Sequence, residues 1–224
     1  MNAKDIQSRR SIVTGLGIAT AGLAISATEA QAQRRRSEFQ PERHELDAWL
    51  DEGTAGHRIF VDSSTAAGAG DALLYSTNLY AAHTAAYDGD PSDLDIVICF
   101  RHFSTPYGYS DAIWAKYGEA IHAVIQMPDP ATGGAPKSNL LNTPNPALGG
   151  VTIGSVAASG ARFAICQNAT RFFSTQLAQA TGAAANDVFD ELVAGAIGNS
   201  RFVSAGVIAA TRAQEYGFSL LYAG

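Results

Sequence analysis

Cysteine is scarce in this chain: two among 224 residues. Two thiols cannot build a disulfide scaffold or a four-cysteine zinc site. Basic charge is also short, with 15 Lys and Arg against 21 Asp and Glu. That balance excludes a general nucleic-acid binder, which shows a basic face. No Gly-x-Ser-x-Gly elbow, Walker loop, His-Glu-x-x-His or Cys-x-x-Cys occurs. The common hydrolase, nucleotidase, metalloprotease and thioredoxin readings fall with them. No repeat at a period of 20–50 residues is present, which removes solenoids and propellers. Strongly apolar runs of about 20 residues are missing as well, so a membrane anchor is not expected. No cofactor or metal is called for.

What is there begins with an address. Ser8-Arg9-Arg10-Ser11 precedes an uncharged run from Ile12 to Thr28, and Ala30-Gln31-Ala32 is a small-x-small cleavage site. Residues 1–32 read as a signal peptide. The paired arginines before a mildly apolar stretch resemble a twin-arginine (Tat) signal, with Ile12 and Val13 where Phe and Leu are usual. The expected location is the bacterial periplasm, with the Tat export machinery as a partner and no stable anchor after cleavage. Residues 33–56 read as a leader containing Arg34-Arg35-Arg36, then a short acidic amphipathic helix over 41–56. Leu46, Trp49 and Leu50 would dock it on the body of the fold.

From 57 onward the chain alternates. Apolar runs at 58–62, 94–100, 161–166, 200–204 and 218–222 predict strands. Helical spacing fills 66–87, 110–124, 170–180, 206–216 and, less regularly, 188–194. Five prolines and four glycines make 126–150 a long loop. Strands alternating with helices imply right-handed crossovers. The expected fold is a three-layer α/β/α sandwich on a parallel sheet of about five strands.

In such a sheet ligands bind beyond the carboxyl ends of the strands. Both cysteines fall there. Cys166 closes the third strand and is followed by Gln167-Asn168-Ala169-Thr170-Arg171 at the mouth of a helix. Unpaired N–H groups and the positive end of the helix dipole favour a thiolate at that place, with Arg171 one turn further on. The competing role is a small buried hydrophobe. Cys99 sits deeper and reads as packing. Arg101 and His102 follow it and give a charged, titratable rim. A Cys99–Cys166 disulfide stays open, since it depends on Cα atoms within about 7 Å. Asp88 to Asp95 has the charge of a calcium loop without the spacing, and Gly68-Ala69-Gly70 is half a dinucleotide fingerprint.

The C-terminal half carries a resemblance. Gly160-Ala-Arg-Phe-Ala-Ile-Cys-Gln-Asn-Ala169 is similar to the cysteine strand of the DsrE/DsrF-like family. Phe202-Val-Ser-Ala-Gly-Val207 with Arg212-Ala-Gln-Glu-Tyr-Gly-Phe218 resembles that family's closing segment, Ser204 standing where proline is usual. The likeness is good over 160–224 and looser over 57–125. It implies a parallel five-stranded α/β/α domain over 57–224, homo-oligomers (trimers or hexamers), and sulfur carried as a persulfide on Cys166. The function expected is therefore a thiol-dependent sulfur carrier or sulfurtransferase, with Cys166 as acceptor and Arg101 and His102 assisting. The alternative is a non-catalytic periplasmic binding or assembly protein in which Cys166 is structural.

Overall fold

The computed structural model describes residues 40–224; the signal-peptide expectation and Arg34–Arg36 lie outside the described residues. Residues 43–224 form one compact unit, and residues 40–42 before it carry no regular structure.

Five strands build one parallel sheet: β1 (His57–Ser63), β2 (Leu94–Phe100), β3 (Arg162–Cys166), β4 (Ser200–Val203) and β5 (Ser219–Ala223). Their order is β4-β3-β2-β1-β5. The helices are α1 (Ala66–Tyr87), α2 (Asp111–Ile125), α3 (Ile153–Ala158), α4 (Gln167–Thr181), α5 (Ala185–Ala194) and α6 (Gly206–Glu215). The three-layer α/β/α sandwich expected from the alternation is the observed architecture.

Strand order decides which face each helix covers. From β1 through β4 the chain steps one way across the sheet, so right-handed crossovers put α1 to α5 on one face. From β4 to β5 it steps back past β1, and α6 drops onto the opposite face. Side-chain alternation matches both layers. Val61, Ile98, Phe100, Phe163 and Ile165 pack with residues of α1 to α5. Phe60, Val97, Cys99 and Ala164 pack with Ala209, Ala210 and Ala213 of α6, and with Trp49 and Leu50. All seven residues of β2 are buried, as expected for a central parallel strand.

Three departures from the sequence expectation have physical causes. The segment at 41–56 is a 3-10 helix over Glu45–Asp51 and docks by its last turn. Trp49 and Leu50 are buried, whereas Leu46 is 75% exposed. Arg162 fixes that turn by donating to the Trp49 carbonyl at 2.8 Å. Second, α3 stands in a region without helical periodicity. Its six residues are started by a reciprocal capping box between Thr152 and Ser155. Third, the loop at 126–150 is anchored through Asn139, which is fully buried. Its Nδ2 donates to the carbonyls of Tyr107 and Tyr109, both at 2.8 Å, and its Oδ1 accepts from Leu141 N–H at 3.1 Å.

The weaker sequence motifs resolve into structure. Asp90 and Asp93 cap a 3-10 turn at Pro91–Asp93 reciprocally, and Asp95 is buried in an ion pair with Arg162 at 2.7 Å. Among the described residues no cluster of His, Cys, Asp and Glu could hold a metal. Gly68 lies inside α1 where a Cβ would run into the Ala223 carbonyl, so its smallness lets α1 approach β5. Among the described residues no helix is long and apolar enough to cross a membrane.

Candidate functional site

The crossovers leaving β3 and β4 go to opposite faces, α4 on one side and α6 on the other. Where neighbouring strands diverge in this way, an open α/β sheet has a crevice beyond its carboxyl edge. A cleft of ≈ 350 Å³ lies there, lined by Arg101, His102, Cys166, Asn168, Phe172 and Gly206 among others. Two depressions at the opposite edge of the sheet, ≈ 390 Å³ beside Asp95 and Arg162 and ≈ 700 Å³ beside His57, His83 and Tyr87, contain no thiol.

Cys166 is the last residue of β3 and the N-cap of α4. Its Sγ accepts the Ala169 N–H at 3.4 Å, so the sulfur itself takes the place a Ser or Asp side chain fills at other helix starts. Its carbonyl accepts from Thr170 Oγ1 at 2.9 Å, and Thr170 accepts in turn from the Tyr109 hydroxyl at 2.9 Å. Tyr109 is fully buried, and burial raises its pKa, so it remains a neutral donor. The thiol is thereby held on a fixed backbone. It is 6% exposed and opens to the cleft.

Register explains why Arg101 stands beside it. Phe100 pairs with Ile165, the last partners of β2 and β3; one step further along each strand come Arg101 and Cys166. The Arg101 side chain is gripped from below by Asp62, which is 5% exposed at the end of β1. Nε donates to Oδ1 at 2.7 Å and Nη2 to Oδ2 at 2.8 Å, a two-pronged charged pair. That bond to Asp62 raises the Arg101 pKa, so the guanidinium is permanently charged. Gly206, first residue of α6, closes the arrangement from the other face. A Cβ there would sit 2.6 Å from Arg101 Cβ and 3.1 Å from Cys99 Sγ.

Cys99 and Cys166 belong to the same sheet face, and both are free thiols. Cys99 pairs with Ala164, two residues short of Cys166. With strands about 4.8 Å apart and about 3.3 Å of rise per residue, their Cα atoms are about 8 Å apart. That exceeds the reach of a disulfide without backbone movement, which answers the question left open by sequence. Burial pushes the Cys99 thiol well above its usual range, and the Asp62 carboxylate pushes it further. Cys99 is a packed, protonated thiol.

The candidate residues therefore meet at one place: Cys166, Arg101 and His102 line the same cleft. His102 is exposed, adopts φ 53° and stacks on Phe103 with ring centroids 4.1 Å apart. Arg171 does not join them. Its guanidinium lies 4.2 Å over the Phe189 ring, packing α4 against α5. Sequence reasoning missed Asp62. The available signal was a carboxylate ending an apolar strand, which needs a partner if buried. Chemically the cleft offers a sulfur at a helix start, with Arg101, held by Asp62, in the same lining. No family model matches the chain, and no curated protein matches it.

Proposed function

We propose that this chain is an exported, DsrE-like sulfur carrier or sulfurtransferase that holds sulfane sulfur as a persulfide on Cys166. The observation that carries the reading is the placement of Cys166: Sγ capping α4, open to a cleft at the divergence of β3 and β4, with Arg101 alongside. A persulfide anion formed there meets the positive end of a 15-residue helix. The step is balanced without an external oxidant. The Cys166 thiolate attacks the outer sulfur of a donor R–S–SH, a new S–S bond forms, the donor's S–S bond breaks, and the departing thiolate takes up a proton.

The competing role, a structural thiol in a binding or assembly protein, draws on the 6% exposure of Cys166. Self-association accompanies either role. Val207 and Ile208 on α6, and Leu220 and Tyr222 on β5, leave apolar surface exposed on the thinly covered sheet face, which supports packing of a second copy there.

The test is sulfur loading. Reduced protein is incubated with a persulfide donor, desalted and weighed, and the added sulfur is assayed by cyanolysis. The wild type and Cys99→Ser are expected to gain about 32 Da, one sulfur atom, while Cys166→Ser gains nothing. Loading that persists in Cys166→Ser refutes the assignment.

A further inference from the structure

The outer strands of the sheet are β4 and β5. Edge strands are normally blunted by shortness, charge, proline or a bulge, because their outward N–H and C=O groups are templates for another strand. β4 follows that rule: it has four residues and carries the exposed Arg201. β5 does not. Ser219-Leu-Leu-Tyr-Ala223 has no charge and no proline, and it pairs with β1 in unbroken register. Beyond that ladder, no main-chain group from Ser219 to Ala223 hydrogen-bonds another described residue. Leu220 and Tyr222 lie on the α6 face, in register with Phe60 and Asp62, and are 44% and 53% exposed. The Tyr222 hydroxyl is satisfied within the chain by Ser64 Oγ at 2.6 Å, so what this residue offers outward is its ring.

We propose that β5 is a self-pairing edge: two copies of this chain join antiparallel through β5, centred on Leu221, into one continuous sheet. Strand geometry restricts the register. Along a strand bonded to β1 on one side, alternate residues turn both main-chain groups outward. Antiparallel hydrogen-bonded partners must both be outward-turned, so the two-fold axis passes through a residue, never between two. Placing it at Leu221 overlaps all five residues. Leu220 then faces Tyr222 of the second copy, once on each side of the axis, and Ser219 faces Ala223. Aliphatic–aromatic cross-strand pairs are favourable, and each covers apolar surface that a lone copy leaves in water. The pairing adds about four to six hydrogen bonds, whichever residues turn outward. The occupant is a second copy because the strand is complementary to itself in this register and brings no like charges together. An assembly built on this contact has an even number of chains. The contact does not depend on the chemistry at Cys166.

The experiment is site-directed crosslinking of the full chain, in a Cys166→Ser background, with Cys99 buried. Leu221→Cys puts a thiol on the axis, where opposed Cα atoms lie about 4.5–5.5 Å apart, within disulfide reach. Leu220→Cys and Tyr222→Cys each stand about 8 Å from the same position of the second copy, beyond that reach. Mixed together, the two variants meet. Under mild oxidation at micromolar concentration, Leu221→Cys and the mixture are expected to run as dimers on non-reducing gels. Leu220→Cys or Tyr222→Cys alone should crosslink at least about fivefold less. The mixture leaves the half-buried Leu221 untouched and serves if Leu221→Cys fails to fold. Light scattering of the wild type should give an even-numbered mass, and Leu220→Lys, a charge at an exposed edge position, should lower it. A monomeric or trimeric wild type overturns the proposal. So does an oligomer in which neither Leu221→Cys nor the mixture crosslinks, or in which Leu220→Cys alone crosslinks as well as the mixture. Slow hydrogen exchange at every β5 amide of a monomer would assign the edge to a segment of the same chain and overturns it equally.

Discussion

Gly206→Ala is a sharp test of how the cleft is assembled. Gly206 starts α6 directly over the end of β2, and an added Cβ would lie 2.6 Å from Arg101 Cβ and 3.1 Å from Cys99 Sγ. Unstrained carbon contacts lie near 3.5–4.0 Å, so about 1 Å of separation must be found. Neither neighbour can swing away, because Arg101 Cβ is tied to the backbone and Cys99 is fully buried. The first turn of α6 must lift. Overpacking of this kind costs about 1–3 kcal/mol, against a few tenths regained from the reduced backbone freedom of the unfolded chain. For a domain of this size the net loss corresponds to a melting temperature lower by roughly 2–8 °C. Gly154→Ala is the control: it lies inside α3 with its nearest contact at 3.9 Å, and should be neutral or stabilising by up to about 1 kcal/mol. Differential scanning calorimetry of the three proteins decides the matter. A Gly206→Ala variant as stable as wild type would refute the close approach of α6 to β2 and, with it, the geometry assigned to Arg101.

Four further outcomes are expected. Iodoacetamide should modify Cys166 at least about a thousandfold faster than Cys99, whose exposure requires opening of the core; peptide mapping reads the two rates. Stability should fall as pH rises above about 8.5, because the unfolded Cys99 thiol ionises there while its raised pKa keeps the folded one protonated. The limiting slope is about 1.36 kcal/mol per pH unit for that group, and Cys99→Ala should flatten it; Tyr80, raised to about 12 by burial, adds to the slope only above pH 10. Asn139→Ala should cost about 2–4 kcal/mol by chemical denaturation, because two carbonyls and one N–H lose their partners. Light scattering at micromolar concentration should give more than a monomer mass, and Val207→Glu with Leu220→Glu should reduce it; a monomeric wild type contradicts self-association.

Most of the architecture could be read from residues 57–224 because local signals and tertiary demands agree there. Leu94 to Phe100 has no polar interruption but Asp95, and it is the central buried strand. Ala66 to Tyr87 is a helix at the residues its spacing marks. Misses came where a structure is too short or too dependent on distant partners to leave a period. Six-residue α3 depends on a capping box rather than an apolar stripe. The turn over His102–Gly108 contains Pro106 and is held by tertiary contacts such as Trp114 Nε1 donating to the Pro106 carbonyl at 3.0 Å. Cys166 and Arg101 could be placed at one cleft from sequence because both stand at the carboxyl ends of strands, where ligands bind in such sheets. Asp62 could not, since its role appears only once β1 is known to pair beside β2, with Asp62 opposite Cys99. Arg171 was misassigned for a related reason: one residue along a helix is a rotation of about 100°, enough to turn a cation from a cleft to a neighbouring ring.

The central claim is that Cys166 carries sulfur. Intact-mass and peptide mass spectrometry of the full chain, purified without reductant from cells that make it, tests this most directly. The account predicts a fraction heavier by about 32 Da, localised to the peptide holding Cys166 and removed by cyanide, with Cys99 unmodified. Unmodified Cys166 in that preparation, remaining unmodified after exposure to a persulfide donor, would contradict it.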